Sequence, residues 1–574
     1  MIRKVLELVL LTTIVAVQAH NITYNVIASS ANNFMIAVNV DDTLYPLHPS
    51  YGILFQGEAP AAKKGYRYSI INADDNIVNI TEPFLRPPLE HNVVSTPNHF
   101  FNRSIDIHEL NYLPQALEPI SALNRVQSDL HIPSQIPTIH IYGNTSATQY
   151  LHENQLEDIE VNLDMTYISL DKVYLFEQVG FSLAGRSSRW VPKLSYGIKL
   201  NEKNDTTLFG YKNLKLRALS KDPTYIRENL AHNVLKSSGI PSSGYSYVRL
   251  FIDNQPIGLF GLIETFQDPW VATVFANNDK DYASGYLYQG EGFGFDEQEE
   301  QVYISDLRYE GTNISKYDFD QYDIKAGPSK NPLEDLIDLQ TFTKFINDSS
   351  VSTTPESEWE KRLDVDCFSR AMAIENLIGL SDAYMTLGNN YYLYQDPRQS
   401  GRFIYISTDF DDSLGRSLFD LEPMLSGNYA EHPGFLSRPL TRKLFSYPVF
   451  LKAYEELLLT LSNTLVNPSI INPYLDSVAK MIIPDVEWDF KLPRLGTYKQ
   501  GDFPEFVFRR GGREYLQTFL PAGVQQQTTF NLSIGNFDES LNGPSPPRSE
   551  SIKTFIAKKH AAIMDFYNER TEEK

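Results

Sequence analysis

The sequence predicts an α+β protein in which a small β-sandwich precedes a larger mixed body. Residues 21–81 alternate polar and apolar side chains with a period of two, and Gly, Pro and Asn-Asp turns interrupt them, as in short strands. Residues 333–387 and 439–481 instead space their apolar side chains as helices do. Because strand-like segments dominate before residue 333, we expect a sheet-rich first part and a helix-rich second part.

The first residues resemble a secretion signal. Residues 1–4 are positively charged, residues 5–17 are largely apolar, and the segment ending at Ala19 offers the small side chains that a signal peptidase requires. We predict cleavage after Ala19 and a mature chain that begins at His20, with a buried N-terminal helix as the alternative.

The rest of the chain carries no signal for a membrane anchor. No later segment approaches the roughly 18 consecutive apolar residues of a membrane span. The polar C-terminus lacks the apolar tail that a GPI-anchor signal needs. We therefore expect a secreted, extracellular protein, either free or held in a cell wall or spore coat.

Four segments follow the predicted signal peptide of residues 1–19. Residues 20–100 form the predicted sandwich, and residues 101–136, where prolines are frequent, form a linker. A larger domain spans residues 137–545 and includes a helix that begins after an Asp-Pro-Thr start signal and ends at a Gly-Ile-Pro stop signal. A polar, helical tail occupies residues 546–574.

The composition excludes two classes of partner. The chain of 574 residues has 72 acidic and 50 basic side chains and a net charge of −22, so its overall charge opposes binding to nucleic acid or to an anionic membrane. Cys367 is the single cysteine, so no intramolecular disulfide can form, and we interpret it as a buried core thiol. The fold must then depend on ordinary core burial, for which the chain is long enough.

Asn-X-Ser/Thr sequons are the acceptors of N-linked glycans in exported proteins. Eight asparagines meet this pattern, as expected for a secreted glycoprotein. These candidate glycosylation sites are Asn21, Asn79, Asn102, Asn144, Asn204, Asn313, Asn347 and Asn531.

Polar residues that suit metal binding surround a predicted hairpin at residues 391–406. Asp382 ends an apolar helix before the hairpin, and Asn390 lies where the first strand begins. Asp409 and Asp411 follow the second strand, so we expect all four side chains to converge at one end of the hairpin. Carboxylate and amide oxygens suit Mg²⁺, which keeps coordination positions open for phosphate oxygens. A solvated acidic turn or a structural Ca²⁺ site are the alternatives.

The order of these residues is also that of a phosphoryl-transfer site. An Asp that orients the acceptor hydroxyl, an Asn on a metal and a second Asp between metal and phosphates occur in this order in protein kinases. The spacing differs, because six or seven residues rather than four separate Asp382 from Asn389 and Asn390.

Basic residues gather in the strand-rich part of this acidic chain. Lys193 follows two arginines, and Lys215 and Arg217 lie on a predicted strand edge. Nucleotide phosphates need such donors. Glu264 ends a later strand and could pair with one of the lysines and position it. The alternative for each basic residue alone is a solvated surface charge.

Several blocks of sequence, in this order between residues 140 and 500, resemble a known family. The blocks are Lys193-Leu-Ser-Tyr, Leu214-Lys-Leu-Arg217, Asp222-Pro-Thr-Tyr, Val248-Arg-Leu-Phe with Gly258 and Glu264, Asp382 with Asn390 and Asp396-Pro, Asp409-Phe-Asp411 with Gly415, and Pro484-Asp-Val-Glu-Trp-Asp489. Together they resemble the spore-coat CotH kinase-like proteins, in particular the fungal members of the Mucorales type.

The resemblance implies a fold, an activity and a set of roles. It implies an atypical protein-kinase-like domain of two lobes that uses ATP with Mg²⁺ or Mn²⁺ to phosphorylate secreted or coat proteins. It also implies a competing role as an invasin, because fungal relatives act at the cell surface and bind host receptors. By position, Asp382 resembles the catalytic aspartate, and the metal ligands are Asn390, Asp409 and Asp411. The residues that resemble the family's nucleotide-binding set are Lys193, Lys215, Arg217 and Glu264.

Two departures from the invasins favour the kinase. The loop after Asp382, at Gly388-Asn389, differs from the loop of the surface invasins, and the chain lacks their C-terminal anchor. We therefore expect a secreted kinase, with the host-receptor adhesin as the alternative.

Overall fold

The computed structural model describes most of the chain. The described residues are 20–29, 34–72, 78–90, 92–185, 187–201, 207–296, 301–317, 321–328, 331, 333–497, 536–544 and 549–572. The predicted signal peptide at residues 1–19 and two predicted glycosylation sites, Asn204 and Asn531, lie outside them. Within the described residues, no helix is both long enough and apolar enough to cross a membrane.

The chain divides into two compact units. The first comprises Met1–Asp106 and Ile168–Val173, and the second comprises Ile107–Tyr167 and Tyr174–Lys574. Most of residues 101–136, which the sequence marks as a linker, therefore belong to the second unit.

The first unit is built on one folded sheet. Its strands are β1 (Asn21–Ile27), β2 (Phe34–Val40), β3 (Thr43–Tyr51), β4 (Leu54–Pro60), β5 (Tyr66–Asn72), β6 (Val78–Thr81) and β7 (Ser95–Phe100). They are hydrogen-bonded in the order β6-β5-β2-β3-β4-β1-β7. The long strand β3 pairs with β2 through its first half and with β4 through its second half. Tyr24 and Tyr66 pack edge to face in the shared core, with ring centres 5.0 Å apart.

A closed barrel of seven strands forms the strand-rich part that follows. The strands are β8 (Thr138–Tyr142), β9 (Glu160–Ile168), β10 (Val173–Ala184), β11 (Ser195–Lys199), β12 (Asn213–Arg217), β13 (Tyr245–Ile252) and β14 (Gln255–Glu264). Their order around the barrel is β10-β11-β12-β14-β13-β8-β9. Leu214 and Leu216 of β12 fill the barrel core. Since side chains alternate along a strand, Lys215 and Arg217 point to the outside of the barrel.

Helices, a four-stranded sheet and a two-stranded sheet make up the rest of the second unit as the structure describes it. The helices are α1 (Thr145–Glu153), α2 (Arg227–Ser237), α3 (Trp270–Phe275), α4 (Ile337–Asp348), α5 (Glu356–Arg362), α6 (Val365–Leu377), α7 (Tyr384–Leu387), α8 (Leu421–Leu425), α9 (Pro439–Leu444), α10 (Pro448–Thr464), α11 (Pro468–Asp489), α12 (Phe537–Asn542) and α13 (Ile552–Glu572). The strands are β15 (Leu287–Glu291), β16 (Phe293–Asp296), β17 (Gln301–Ile304), β18 (Tyr322–Ala326), β19 (Asn389–Asp396) and β20 (Arg402–Ser407). The mixed α+β class predicted from the sequence is confirmed.

The predicted hairpin is β19–β20, at the edge of an antiparallel sheet with the order β18-β15-β19-β20. Helix α6 packs against it, and Cys367 of α6 is fully buried with its thiol 3.3 Å from the carbonyl oxygen of Tyr405. Cys367 is therefore the core thiol that the sequence predicts, and burial raises its pKa. The side chain has no exposure through which it could react.

The last helix belongs to the core of the second unit. Residues 546–574, which the sequence marks as a polar and helical tail, contain α13. Ile552, Phe555 and Ile563 on α13 are fully buried in the same core as α6. The helix therefore supports the segment that leads from α6 to Asp382.

Candidate active site at the end of the β19–β20 hairpin

The hairpin brings the predicted catalytic and metal-binding segments together. The side-chain amide of Asn389 donates to Asp382 Oδ1 at 3.0 Å, and that of Asn390 donates to the Asp382 carbonyl oxygen at 2.7 Å. The backbone N–H of Thr408, next to Asp409, donates to the carbonyl oxygen of Asn390 at 3.0 Å. The loop of Asp382 and both ends of the hairpin are thus joined by direct hydrogen bonds.

Left-handed backbone conformations gather at this end of the hairpin. Helix α7 ends at Gly388, whose φ is 64°, and Asn390 and Asp409 have φ values of 54° and 56°. Asn and Asp tolerate this region better than most residues, but each such residue still costs on the order of 1–3 kcal/mol. Backbone strain of this kind collects at functional sites, where it aims a side chain.

Arg217 is the central cation of the site. Its two terminal nitrogens donate to the two carboxylate oxygens of Asp409 at 3.0 and 2.6 Å, and its Nε donates to Glu228 at 3.0 Å. Arg217 comes from β12 of the barrel, Glu228 from the first turn of α2, and Asp409 from the loop after β20. A guanidinium can bind a carboxylate through two parallel hydrogen bonds, so this one side chain fixes the relative positions of three elements.

The loop after Asp409 carries two further carboxylates with their own cations. Asp411 lies 3.3 Å from Lys221 Nζ, and Asp412 accepts a hydrogen bond of 2.7 Å from Arg416 Nε. The carbonyl oxygen of Asp412 also accepts from the backbone N–H of Ser381 at 3.0 Å, directly before Asp382. Four aspartates, Asp382, Asp409, Asp411 and Asp412, therefore lie in one small region with the cations Arg217, Lys221 and Arg416.

The four carboxylates differ in their affinity for a proton. Burial, together with the negative charges of Asp412 and Asp409, raises the pKa of Asp382 to about 6. Burial also raises the pKa of Asp411, although Lys221 opposes it. Burial would raise the pKa of Asp409 as well, but the Arg217 guanidinium outweighs burial and holds it below the usual range. A nearby cation would favour the charged form of Asp382 and Asp411.

Lys215 is a further lysine of the candidate site. Its ammonium group makes no hydrogen bond or ion pair with any residue that the structure describes. It lies two residues before Arg217 on the same face of β12, partly buried. Burial lowers the pKa of Lys215, and the neighbouring Arg217 lowers it further. Asp409, Glu228 and Asp411 favour its charged form without pairing with it directly, so the ammonium group can bind an incoming anion.

Lys193 and Glu264 bind residues outside the cluster around Arg217. Lys193 Nζ donates to Asp489 at 2.7 Å and to the carbonyl oxygen of Leu259 at 2.5 Å. Burial lowers its pKa to about 8, although Asp489 favours the charged form. Glu264 is fully buried and bound by Arg125 and by the indole N–H of Trp270 at 2.9 Å. The expected pairing of Glu264 with a lysine is wrong, because Arg125 takes that place.

Glu228 and Lys221 belong to the cluster but carry no distinctive sequence motif. Glu228 lies in the first turn of the helix that the sequence predicts, where any acidic side chain favourably meets the helix dipole. That position gave no reason to pair it with Arg217. Lys221 precedes the same helix in a turn where a solvated charge is the ordinary expectation.

Within the described residues, no three His, Cys, Asp or Glu side chains are grouped so as to hold a metal ion by themselves. Both oxygens of Asp409 are already bound by Arg217. A Mg²⁺ ion at such a site commonly takes part of its ligands from substrate phosphates.

A family model described as "CotH kinase protein" matches residues 181–500. This match covers more than half of the chain and contains the whole cluster around Arg217, so the chain belongs to the CotH family. The resemblance inferred from the sequence blocks is confirmed.

Similar proteins come from the fungus Rhizopus delemar. "Invasin CotH3" is 26% identical over 482 residues, which are 82% of this chain and 76% of that protein. "Spore coat protein homolog 1" is 24% identical over 563 residues, or 95% of this chain and 83% of the relative. "Invasin CotH2" is 24% identical over 483 residues, which are 82% of this chain and 75% of that protein. The similarity therefore extends well beyond the matched domain.

Proposed function

We propose that the protein is a secreted atypical protein kinase that transfers the γ-phosphate of ATP to secreted or coat proteins. The observation that carries the proposal is the convergence of Asp382, Asn390 and Asp409 beside a lysine, Lys215, that has no partner among the described residues. Phosphoryl transfer depends on a positioned base, metal ligands and phosphate-binding cations. The cluster offers all three kinds of group in one place.

Asp382 would receive the proton of the acceptor hydroxyl. The acceptor oxygen forms a bond to the γ-phosphorus, the bond from phosphorus to the β,γ-bridging oxygen breaks, and ADP leaves. A base works best when its pKa lies near the working pH. Burial raises the pKa of Asp382 to about 6, which meets this condition. The amide of Asn389 fixes the orientation of its carboxylate.

The donor set fits a divalent cation. Asn390, Asp409 and Asp411 would hold it, Asp409 through the lone pairs that its two hydrogen bonds from Arg217 leave open, and all three offer the oxygen ligands that Mg²⁺ and Mn²⁺ prefer. The raised pKa of Asp411 supports this assignment, because burial beside Asp409 and Asp412 leaves its charge undercompensated. When bound, the cation would neutralise charge on the β- and γ-phosphates.

The basic residues of β12 would bind the nucleotide. Lys215 would contact the phosphates directly, since no described protein group competes for its ammonium. Arg217 would hold Asp409 in place against Glu228. We propose that Lys193 and Glu264 act behind the site through Asp489 and Arg125. In this scheme the barrel and the helical part act as the two lobes of a kinase-like domain.

The names of the relatives support a location at the surface. Relatives are called spore coat protein and invasin, which places those proteins at a coat or cell surface. We propose secretion through the segment before His20 and glycosylation at sequons such as Asn21 and Asn144. A secreted kinase would then act on wall or coat proteins.

Adhesion to a host receptor is the second candidate function. It is favoured by the relatives "Invasin CotH3" and "Invasin CotH2". An adhesin needs the folded surface but no charge on Asp382 or Asp409. The effect of removing these carboxylates on phosphate transfer therefore separates the two functions.

The test is transfer of labelled phosphate from ATP by the mature chain, with Mg²⁺ or Mn²⁺ present. We expect the wild type to label itself or an added protein, and Asp382→Ala to reduce the rate at least about 100-fold, as loss of a general base does. Asp158→Asn is the matched control, because this carboxylate is exposed and lies outside the cluster, in an ion pair with Arg189. Equal labelling by wild type and Asp382→Ala would reject the kinase.

A further inference from the structure

A second buried charge cluster lies at the end of helix α11. Asp489 accepts hydrogen bonds from Lys193 at 2.7 Å, from Arg494 at 2.8 Å and from the hydroxyl of Tyr225. Asp489 is completely buried, and the ammonium of Lys193 also lies 4.9 Å from the centre of the Tyr225 ring. Three sequence blocks that are far apart in the chain thus meet at one carboxylate.

The close approach of Asp489 to the barrel depends on a glycine. Gly258 on β14 has a φ of 135°, and a Cβ atom there would lie 1.9 Å from Asp489 Oδ1. One turn earlier on α11, Asp485 binds Arg249 of β13 through two hydrogen bonds of 2.7 and 2.8 Å. Helix α11 is therefore held on the barrel by two carboxylates, and only Asp489 also binds Tyr225.

Tyr225 lies in the loop that leads into α2. It adopts a left-handed φ of 59°, and its carbonyl oxygen accepts a hydrogen bond of 2.7 Å from Tyr247. Two residues later, Arg227 begins α2 and donates to the carbonyl oxygen of Ser413 at 3.2 Å. Glu228 follows and binds Arg217. The first turn of α2 therefore lies between the Asp489 cluster and the candidate active site.

We propose that Asp489, acting through the Tyr225 hydroxyl, is a positioning residue for the active site. The hydrogen bond fixes the loop before α2, and the first turn of α2 in turn places Glu228 against Arg217. Arg217 then holds Asp409 through both of its oxygens. This inference rests on the proposed kinase function, because it assigns Asp489 a role in phosphate transfer beyond its role in stability.

The test compares two conservative substitutions, each of which weakens a different contact of helix α11. Tyr225→Phe removes only the hydroxyl, and Asp485→Asn weakens the neighbouring clamp between α11 and Arg249 of β13. We expect Tyr225→Phe to lower the rate of phosphate transfer roughly 10- to 100-fold, since small displacements of reacting groups have effects of this size. Asp485→Asn should lower the melting temperature but leave the rate unchanged.

Hydrogen exchange of the peptide that contains α2 gives a readout independent of activity. We expect faster exchange at the start of α2 in Tyr225→Phe and wild-type exchange in Asp485→Asn. An unchanged rate in Tyr225→Phe, an equal loss of rate in Asp485→Asn, or unchanged exchange of α2 in Tyr225→Phe would each overturn the positioning role. If the wild type transfers no phosphate, the kinase proposal fails, and exchange of α2 alone decides whether Tyr225 fixes this helix.

Discussion

Arg217 is the residue on which the geometry of the site most depends. It is largely buried and binds Glu228 and Asp409 at once, and both carboxylates come from other elements. Breaking a buried pair by removing one partner is costly, because the remaining charge stays buried without compensation. The same contact therefore stabilises the fold and, in the proposed kinase, positions Asp409.

We predict that Arg217→Met lowers the free energy of unfolding by about 3–5 kcal/mol. Two carboxylates, Glu228 and Asp409, would then be left facing each other without their shared cation. Arg217→Lys should lose less stability but still impair phosphate transfer, since an ammonium cannot form the two parallel bonds. Urea unfolding checks the first effect.

Lys452→Met is the control for that experiment. Lys452 pairs with Glu456 on an exposed helix face, and such pairs contribute less than about 1 kcal/mol. If Arg217→Met were no more destabilising than Lys452→Met, Arg217 would not hold the site together.

Glu375 makes the stability depend on pH. It is buried on α6 and accepts hydrogen bonds from Tyr405 at 2.8 Å and Ser407 at 3.3 Å. Burial raises its pKa from 4.5 to about 7, so the folded state holds this proton more tightly than the unfolded state. The stabilisation that protonated Glu375 gives the folded state is fully present below pH 4.5 and is lost as the pH rises towards 7.

We predict that Glu375→Gln removes this loss. Relative to its value at pH 4.5, the wild type should lose about 3 kcal/mol more than Glu375→Gln by pH 8, because one pKa unit corresponds to about 1.4 kcal/mol. Urea unfolding at both pH values measures the difference. Parallel pH profiles for the two proteins would show that Glu375 titrates normally in the folded state.

Among the elements, the hairpin and α2 were predictable, but their charged contacts were not. Turn residues and alternating side chains mark β19–β20, and start and stop signals mark α2, because these features are local. The partner of Glu264 is Arg125, which is 139 residues away, and that of Lys193 is Asp489, which is 296 residues away. Such pairs arise only when distant elements pack, so sequence spacing gave no signal for them.

The packing of helix α13 could not be predicted from the sequence either. Its sequence carries many charges, but its apolar side chains lie on one face and enter the core. A Cβ on Gly379, just after α6, would lie 2.5 Å from the ring of Phe555, so this ring packs directly against the backbone that leads to Asp382. The helix is therefore part of the domain that carries the site.

We predict that Phe555→Ala lowers the free energy of unfolding by about 3–5 kcal/mol, through lost burial and the cavity left behind. Differential scanning calorimetry should show a matching fall in the melting temperature. Lys558→Ala on the exposed face of α13 should change stability by less than about 0.5 kcal/mol. Equal effects of the two substitutions would place α13 outside the cooperative core.

For the whole molecule, composition and sequence blocks together indicated the class. In a chain with a net charge of −22, clusters of basic residues are unusual and indicate local anion-binding sites. The family match confirms the resemblance that the sequence blocks indicate. Membership in this family is compatible with a kinase and with an adhesin, because relatives are called invasins. The distinction depends on whether the cluster around Arg217 binds nucleotide.

The central claim is that this cluster binds ATP with a divalent cation through Lys215. The most direct measurement is the thermal stability of the mature chain with ATP and Mg²⁺, for the wild type and Lys215→Met. A ligand at 100 times its Kd should stabilise the wild type by about 2.7 kcal/mol. We predict this shift for the wild type, its loss on chelation of Mg²⁺, and a much smaller shift for Lys215→Met. No stabilisation of the wild type with either Mg²⁺ or Mn²⁺, or equal stabilisation of Lys215→Met, would contradict the account.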